Sequence, residues 1–245
     1  MVERFLTGAS SYAPSVDHLI FLVAALVGFW LLIAEGCLFG LVFKFRRKDG
    51  QRSLYITGEE KHEKRWITIP HLLVIVCDVV IIVFAIMVWV NIKQDMPPAQ
   101  QTIRVIGQQW SWSFQLPGPD GTLDTADDIR TVGELHVEAN TTYHFELMSR
   151  DVVHSFAVPS FRLKQDALPG RTITGWFKAT RLGTYDIQCT QICGVGHALM
   201  AGRITVDTPQ AYAAWVRQMS NTAVAAQAPP SSAQGNTAAV AEVRP

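Results

Sequence analysis

GTYDIQCTQICGVGHALMAGRITV, residues 183–206, sets two cysteines, one histidine and one methionine between two runs of strand-like residues. Cys189, Cys193, His197 and Met200 follow one another at steps of four, four and three, which on an α-helix would stack them on one face. Gly194 and Gly196 oppose a helix, because glycine is costly there and useful where a chain must bend sharply. TYDIQ before the cluster and GRITV after it read as strands, so the segment is a loop joining two strands. The same texture extends outward. From Thr102 onward the chain shows TIRVIGQQWSWSFQ, GELHVEAN, TYHFELMS, SFAVPS and TITGWFKA, rich in β-branched and aromatic residues and separated by Gly, Pro, Asp and Asn. That pattern predicts an antiparallel sandwich or small barrel, closed by a short helix over TPQAYAAWVRQM.

The first third is different. Leu19 to Phe45 and Trp66 to Ile92 are apolar runs, each longer than the roughly 20 residues that cross a bilayer core. Two transmembrane helices, over about 19–45 and 66–92, are expected in the lipid bilayer. Between them lie Lys44, Arg46, Arg47, Lys48, Arg52, Lys61, Lys64 and Arg65, and short loops rich in Lys and Arg remain cytoplasmic. Both ends of the chain and the β domain are then expected on the periplasmic side of a bacterial plasma membrane. The polar TGASSYAPSVD before the first run gives no sign of a cleavable leader, and residues 1–18 read as an exposed lead-in. The 245-residue chain is neutral, with 21 Lys and Arg against 21 Asp and Glu. Neither half is strongly basic, which argues against a nucleic-acid partner. From about Ser220 the composition turns to Ala, Gln, Ser and Pro, too poor in large apolar residues to pack, and residues 220–245 are expected to be disordered.

Cys37 and Cys77 fall inside the apolar runs and read as packing residues. Cys189 and Cys193 remain in the exported part, where a disulfide is the default. No C-x-x-C-H motif is present, so covalently attached haem is not indicated. His154, in DVVHSF, is a further candidate ligand that would arrive from another strand end. Structural zinc would use two cysteines and two histidines and leave Met200 idle, whereas a blue single-copper site needs one thiolate and leaves a cysteine over. Two thiolates, two imidazoles and a soft thioether are an adequate set for two copper ions side by side. Residue types alone leave the disulfide and zinc open.

DVVHSFAVPSFRLKQDALPGR followed by GTYDIQCTQICGVGHALM resembles subunit II of the cytochrome c oxidases, members of the haem-copper oxidase superfamily, over about residues 18–218. The resemblance implies an all-β, cupredoxin-like Greek-key barrel over residues 93–219, carried on a transmembrane helical hairpin over 19–92. It also implies a dinuclear CuA centre. Cys189 and Cys193 would bridge the coppers, His154 and His197 would each bind one, and Met200 and the backbone carbonyl of Gln191 would be weak ligands. Most members carry Glu at the position of Gln191, and that carboxylate also binds magnesium at the border with subunit I. A neutral amide is a poorer ligand for a hard cation, so the magnesium site is the part of the inheritance that this substitution puts in doubt.

By the same resemblance the chain would take electrons from cytochrome c and pass them to haem in subunit I, where oxygen is reduced and protons are pumped. Trp110, in GQQWSWSF, would receive the electrons. Alternation would put Trp110, Trp112 and Phe114 on one strand face, where aromatics usually form core. Asp120, Asp124, Asp127, Asp128, Glu134 and Glu138 against Arg130 alone make a negative loop suited to steering a basic cytochrome; its spacing misses the standard calcium loop. Glu63, three residues before Trp66, matches the family's glutamate at the mouth of a proton channel of subunit I. Glu35 and Asp78 lie inside the apolar runs at comparable expected depth; such groups usually face protein or a water path, and a protonated pair, a bond to another subunit and proton conduction are the readings open to them. The CuA-bearing subunit of a membrane nitric oxide reductase would reuse this architecture and is the alternative reading.

Overall fold

The computed structural model describes residues 7–50, 52 and 55–227. Helix α1 spans Ala13–Lys44 and helix α2 Lys61–Trp89, the latter continued by a π turn over Val90–Gln94. Both are long and apolar enough to cross a bilayer, and side chains such as Leu32, 74 % exposed, and Trp66, 82 % exposed, cover them. Surfaces of that kind belong in lipid, and the chain is a membrane protein.

Each helix begins five or six residues before its apolar run. Pro14 sits at the start of α1, where its missing N–H costs nothing. Lys61 to Arg65 form the first turn of α2 with Glu63 at the positive helix end. Hydrophobicity marks the segment that lipid must cover, whereas the backbone spiral continues through polar residues beyond it.

Ten strands follow: β1 Gln101–Gln108, β2 Ser111–Leu116, β3 Ile129–Val132, β4 Glu134–Glu138, β5 Thr142–Ser149, β6 His154–Val158, β7 Leu163–Ala167, β8 Ile173–Lys178, β9 Gly183–Cys189 and β10 Ala201–Asp207. They form two five-stranded sheets, in the orders β3-β2-β1-β5-β8 and β4-β10-β9-β6-β7. The chain passes repeatedly from one sheet to the other. β1 with β5 and β4 with β10 pair in parallel, and the remaining neighbours are antiparallel. This is the cupredoxin-like Greek-key arrangement, with the core between the sheets. Period-two alternation turns Ile103 and Val105 of β1, Phe145 and Leu147 of β5, and Ile204 and Val206 of β10 inward. At the centre Phe156 of β6 meets Trp112, Phe145 and Phe114 at ring separations of 5.4, 6.1 and 6.4 Å, in the edge-on geometry aromatic pairs favour.

Three expectations need correction. TIRVIGQQWSWSFQ is a hairpin of two strands, with Gln108 opposite Ser111, so Trp110 lies in the turn. Trp112 and Phe114 are buried, whereas Trp110 is 40 % exposed. The turn Gln109-Trp110, whose peptide is cis, contains none of the glycine, asparagine or proline that usually marks one. The lead-in is also tied down: Ala9, Ser10, Tyr12 and Ala13 are buried, and Ser10 forms a bridge with Ala179. Ala9 N–H donates to Ser160 O at 2.7 Å, and Thr180 N–H donates to Ala9 O at 2.9 Å. Small residues held by backbone bonds leave no hydrophobic period to read. Finally, helix α3 runs Pro209–Gln227, past the expected onset of disorder at 220, because the alanine-rich NTAVAAQ favours helix without needing a core. Residues 228–245 of that expected tail lie outside the described residues.

Phe156→Ala is expected to cost about 3–5 kcal/mol of β-domain stability, the usual result of deleting a buried aromatic ring. Denaturant unfolding of the solubilised protein, followed through its tryptophans, measures it.

Candidate metal centre

Strand pairing brings the donors together. β6 lies antiparallel to β9 with Phe156 opposite Cys189, which places His154, at the head of β6, beside the end of β9. The loop after Cys189 is closed at its neck, where Cys189 N–H donates to Met200 O at 3.1 Å, and is fastened to β6, where Thr190 N–H donates to Ser155 O at 3.1 Å. Gly194, at φ 121°, takes a conformation that side chains disfavour. A 3-10 turn over His197–Leu199 then swings His197 and Met200 inward.

Cys189 Sγ lies 3.8 Å from Cys193 Sγ, 3.9 Å from His154 Nδ1 and 3.3 Å from Gln191 O. Cys193 Sγ lies 3.6 Å from His197 Nδ1 and 3.8 Å from Met200 Sδ. Both cysteines are free thiols, and 3.8 Å is far beyond a sulfur–sulfur bond of about 2.05 Å. His154, Cys189, Cys193 and Met200 are buried and His197 half-buried. His154, Cys189 and Cys193 hold their ligand atoms within 4.8 Å of one another. All six ligands expected from the sequence thus meet at one place. Sulfur and imidazole donors without a hard carboxylate among them fit copper. Met200, directed at Cys193, uses a donor that zinc does not need.

Asp151, which the sequence reading passed over, fixes His154. Its Oδ1 is 2.8 Å from His154 Nε2, leaving Nδ1 toward Cys189, and its Oδ2 accepts the Gln109 N–H at 2.7 Å. Burial opposes ionisation of Asp151, but the N–H of Gln109, then His154 and the N–H of Val152, hold its carboxyl down to about 2. A carboxylate on the far nitrogen of a ligating histidine sets both its tautomer and its orientation. The signal in the sequence is an aspartate three residues before His154. Gly107 backs the same ring: a methyl there would lie 3.0 Å from His154 Cδ2. Burial, and then Cys189 beside it, push the Cys193 thiol up to about 11. A bound metal reverses this, since coordinating thiols are deprotonated outright.

Trp110 lies against the loop. Its Nε1 donates to Cys193 O at 3.4 Å, and Gln109 Nε2 donates to the same carbonyl at 2.8 Å. The indole covers Gly196, where a side chain would collide with it, and lies with Gln109 Nε2 close against Gly194. Glu63 stands apart, in the first turn of α2, with Oε2 accepting the Gly58 N–H at 2.9 Å. The acidic loop is bonded to the strands beside it: Arg104 of β1 donates to Asp124 at 2.7 Å and to Glu146 of β5 at 2.9 Å, and buried Asp128 accepts from Gln115 of β2 and from the Asp124 N–H. The hydrogen bond from Arg104, against the opposing effect of burial, holds the Asp124 carboxyl below the usual carboxylate range.

The family model for the periplasmic domain of cytochrome c oxidase subunit II matches residues 123–208. The chain is 30% identical over 200 residues to the alternative cytochrome c oxidase subunit 2 of Bradyrhizobium diazoefficiens, covering 72% of this chain and 70% of that protein. It is 29% identical over 255 residues to cytochrome c oxidase subunit 2 of Cereibacter sphaeroides, covering 89% and 82%. Among solved structures, the periplasmic domain of subunit II of cytochrome oxidase of Bradyrhizobium japonicum is similar at 30% identity, over 52% of this chain and 98% of that one, with a TM-score of 0.47.

Asp151→Ala is expected to lower copper affinity by about 10–100-fold, the usual effect of removing a ligand's supporting hydrogen bond, while the barrel stays folded. Competition titration of the metal-free protein with a copper chelator measures it.

Proposed function

As the chain belongs to the cytochrome c oxidase subunit II family, we propose that it carries electrons from cytochrome c, through a dinuclear CuA centre, to haem in subunit I of a proton-pumping oxidase. The observation that carries this reading is the convergence of two free thiols 3.8 Å apart with two imidazoles and a thioether, beneath a half-exposed tryptophan. Cys189, Cys193, His154 and His197 would hold the metals, with Met200 and the carbonyl of Gln191 as weaker donors. When bound, the copper pair shares one electron between both metals, so oxidation and reduction need little rearrangement.

The chain's own residues supply the rest. Asp151 holds the His154 ring at a fixed angle, and the loop neck fixes the spacing of Cys189 and Met200. Burial of the donors keeps water from the centre, which tunes its potential. Trp110 is part-exposed to solvent and hydrogen-bonds the Cys193 carbonyl, so an electron arriving at its ring is one hydrogen bond from a ligating residue. The acidic loop, locked by Arg104, offers fixed negative charge to a basic donor protein. With the basic connection between α1 and α2 in the cytoplasm, the barrel is periplasmic and Glu63 stands at the cytoplasmic end of α2, placed to receive protons for subunit I.

Trp110→Gln is expected to lower kcat with cytochrome c by an order of magnitude or more with little change in KM, the pattern of a lost transfer step rather than lost docking. Turnover of the unmodified complex should also fall as ionic strength rises. Unchanged turnover in the variant removes Trp110 from the route, and consumption of nitric oxide instead of oxygen assigns the complex to the other reductase.

A further inference from the structure

The hairpin carries polar groups that its own helices do not match. Trp30 Nε1 lies 3.2 Å from Cys77 Sγ, which sets the register of α1 against α2. At about 1.5 Å per residue, Glu35 sits about 7.5 Å from that level toward the basic connection, beside the level of His71, and Asp78 about 1.5 Å to the other side. The two carboxylates are therefore offset in depth, against the comparable depth expected from counting residues. All three side chains are exposed, and none has a hydrogen-bond or ionic partner among the described residues.

Their direction follows from the seam between the helices. Half-buried positions run Leu19, Val23, Leu26 and Trp30 on α1 and Cys77, Ile81, Ala85 and Val88 on α2. From residue 31 to 44 no side chain is even half-buried, so the helices pack through their outer halves and leave the inner part of α1 uncovered. With 3.6 residues per turn, Glu35 is turned about 150° from its seam, and Asp78 and His71 about 65° and 85° from theirs. Because the helices run in opposite directions, all three project to the same side of the plane through both axes.

We propose that Glu35, His71 and Asp78 form a polar stripe that docks this face of the hairpin onto a second membrane-embedded subunit, one that presents cationic or hydrogen-bond-donating side chains to the two carboxylates. Bare carboxylates facing lipid are costly, and such groups turn toward protein or water. Charge complementarity therefore selects the partner: an apolar helix cannot satisfy this face. The proposal rests on the reading of the chain as one subunit of a haem-bearing oxidase, and adds which face docks and through which side chains.

The test compares the Glu35→Leu/Asp78→Leu and Glu35→Gln/Asp78→Asn double variants with the unmodified chain. Each is tagged, purified from membranes as the complex, and assayed for haem per copper and for the copper spectrum. Leucine inserts into a bilayer more readily than either carboxylate, so lost partner in that variant is not failed insertion. The expected result is an intact copper spectrum with about tenfold less haem per copper in the Leu variant, the scale of a lost hydrogen bond to a charged group. The Gln/Asn variant, whose amides still accept hydrogen bonds but carry no charge, should fall between the Leu variant and the unmodified ratio. Normal haem per copper in the Leu variant overturns the proposal. No haem-bearing partner with the unmodified chain overturns the parent reading as well, whereas copper signal and partner both present in the unmodified chain leave the parent reading standing whatever the variants do.

Discussion

The metal centre depends on a pairing register. His154 and Cys189 are 35 residues apart in the chain and meet because β6 and β9 pair with Phe156 opposite Cys189. A slip of one residue would turn His154 out of the barrel and Phe156 out of the core. The same register is held from below by the aromatic cluster around Phe156 and from above by the Thr190 to Ser155 backbone bond. Core packing and ligand geometry are thus one constraint. The cost is a set of buried donors with few polar partners of their own; burial of that kind is unfavourable until the groups are matched. Bound metal would match them, and occupancy and stability of the loop would then rise together.

Much of this was legible in the sequence because ligand chemistry is carried by rare residue types. Cysteine, histidine and methionine at fixed steps, broken by Gly194 and Gly196, announced a loop, and His154 could be named from its motif. Asp151 was harder to see, since an aspartate near a histidine is common and only the fold shows its two oxygens shared between His154 and the Gln109 N–H. Trp110 was misplaced for a related reason. Strand alternation ran unbroken through GQQWSWSF, and a turn closed by tertiary contacts with the Cys193 carbonyl has no local signature. The lead-in was missed because Ala9 and Ser10 are held by backbone bonds, which any sequence can make. Glu35 and Asp78 were seen as anomalies, but their faces required the Trp30 to Cys77 register.

The barrel is seated firmly on the hairpin. Arg162, in a left-handed conformation after the short turn that ends β6, pairs with Asp17 of α1 at 2.6 Å. Trp176 donates to the Ile92 carbonyl at 2.9 Å and packs edge-on against Tyr12. Lys93 reaches Gln165 at 2.6 Å. Contacts from both ends of the hairpin therefore converge on one side of the barrel. Such a mount ties the position of the loop to that of the helices, as the proposed electron transfer to a neighbouring subunit requires.

On the proposed reading, Cys189, Cys193, His154, His197 and Met200 hold a pair of coppers that share one electron. Electron paramagnetic resonance of the purified, copper-loaded protein, with its metal content measured in parallel, tests it most directly. Two coppers per chain and the spectrum of an unpaired electron spread equally over both, in a purple protein, are expected. A single-copper spectrum, colourless tight zinc, or a Cys189–Cys193 disulfide that persists in the presence of copper and reductant would contradict it.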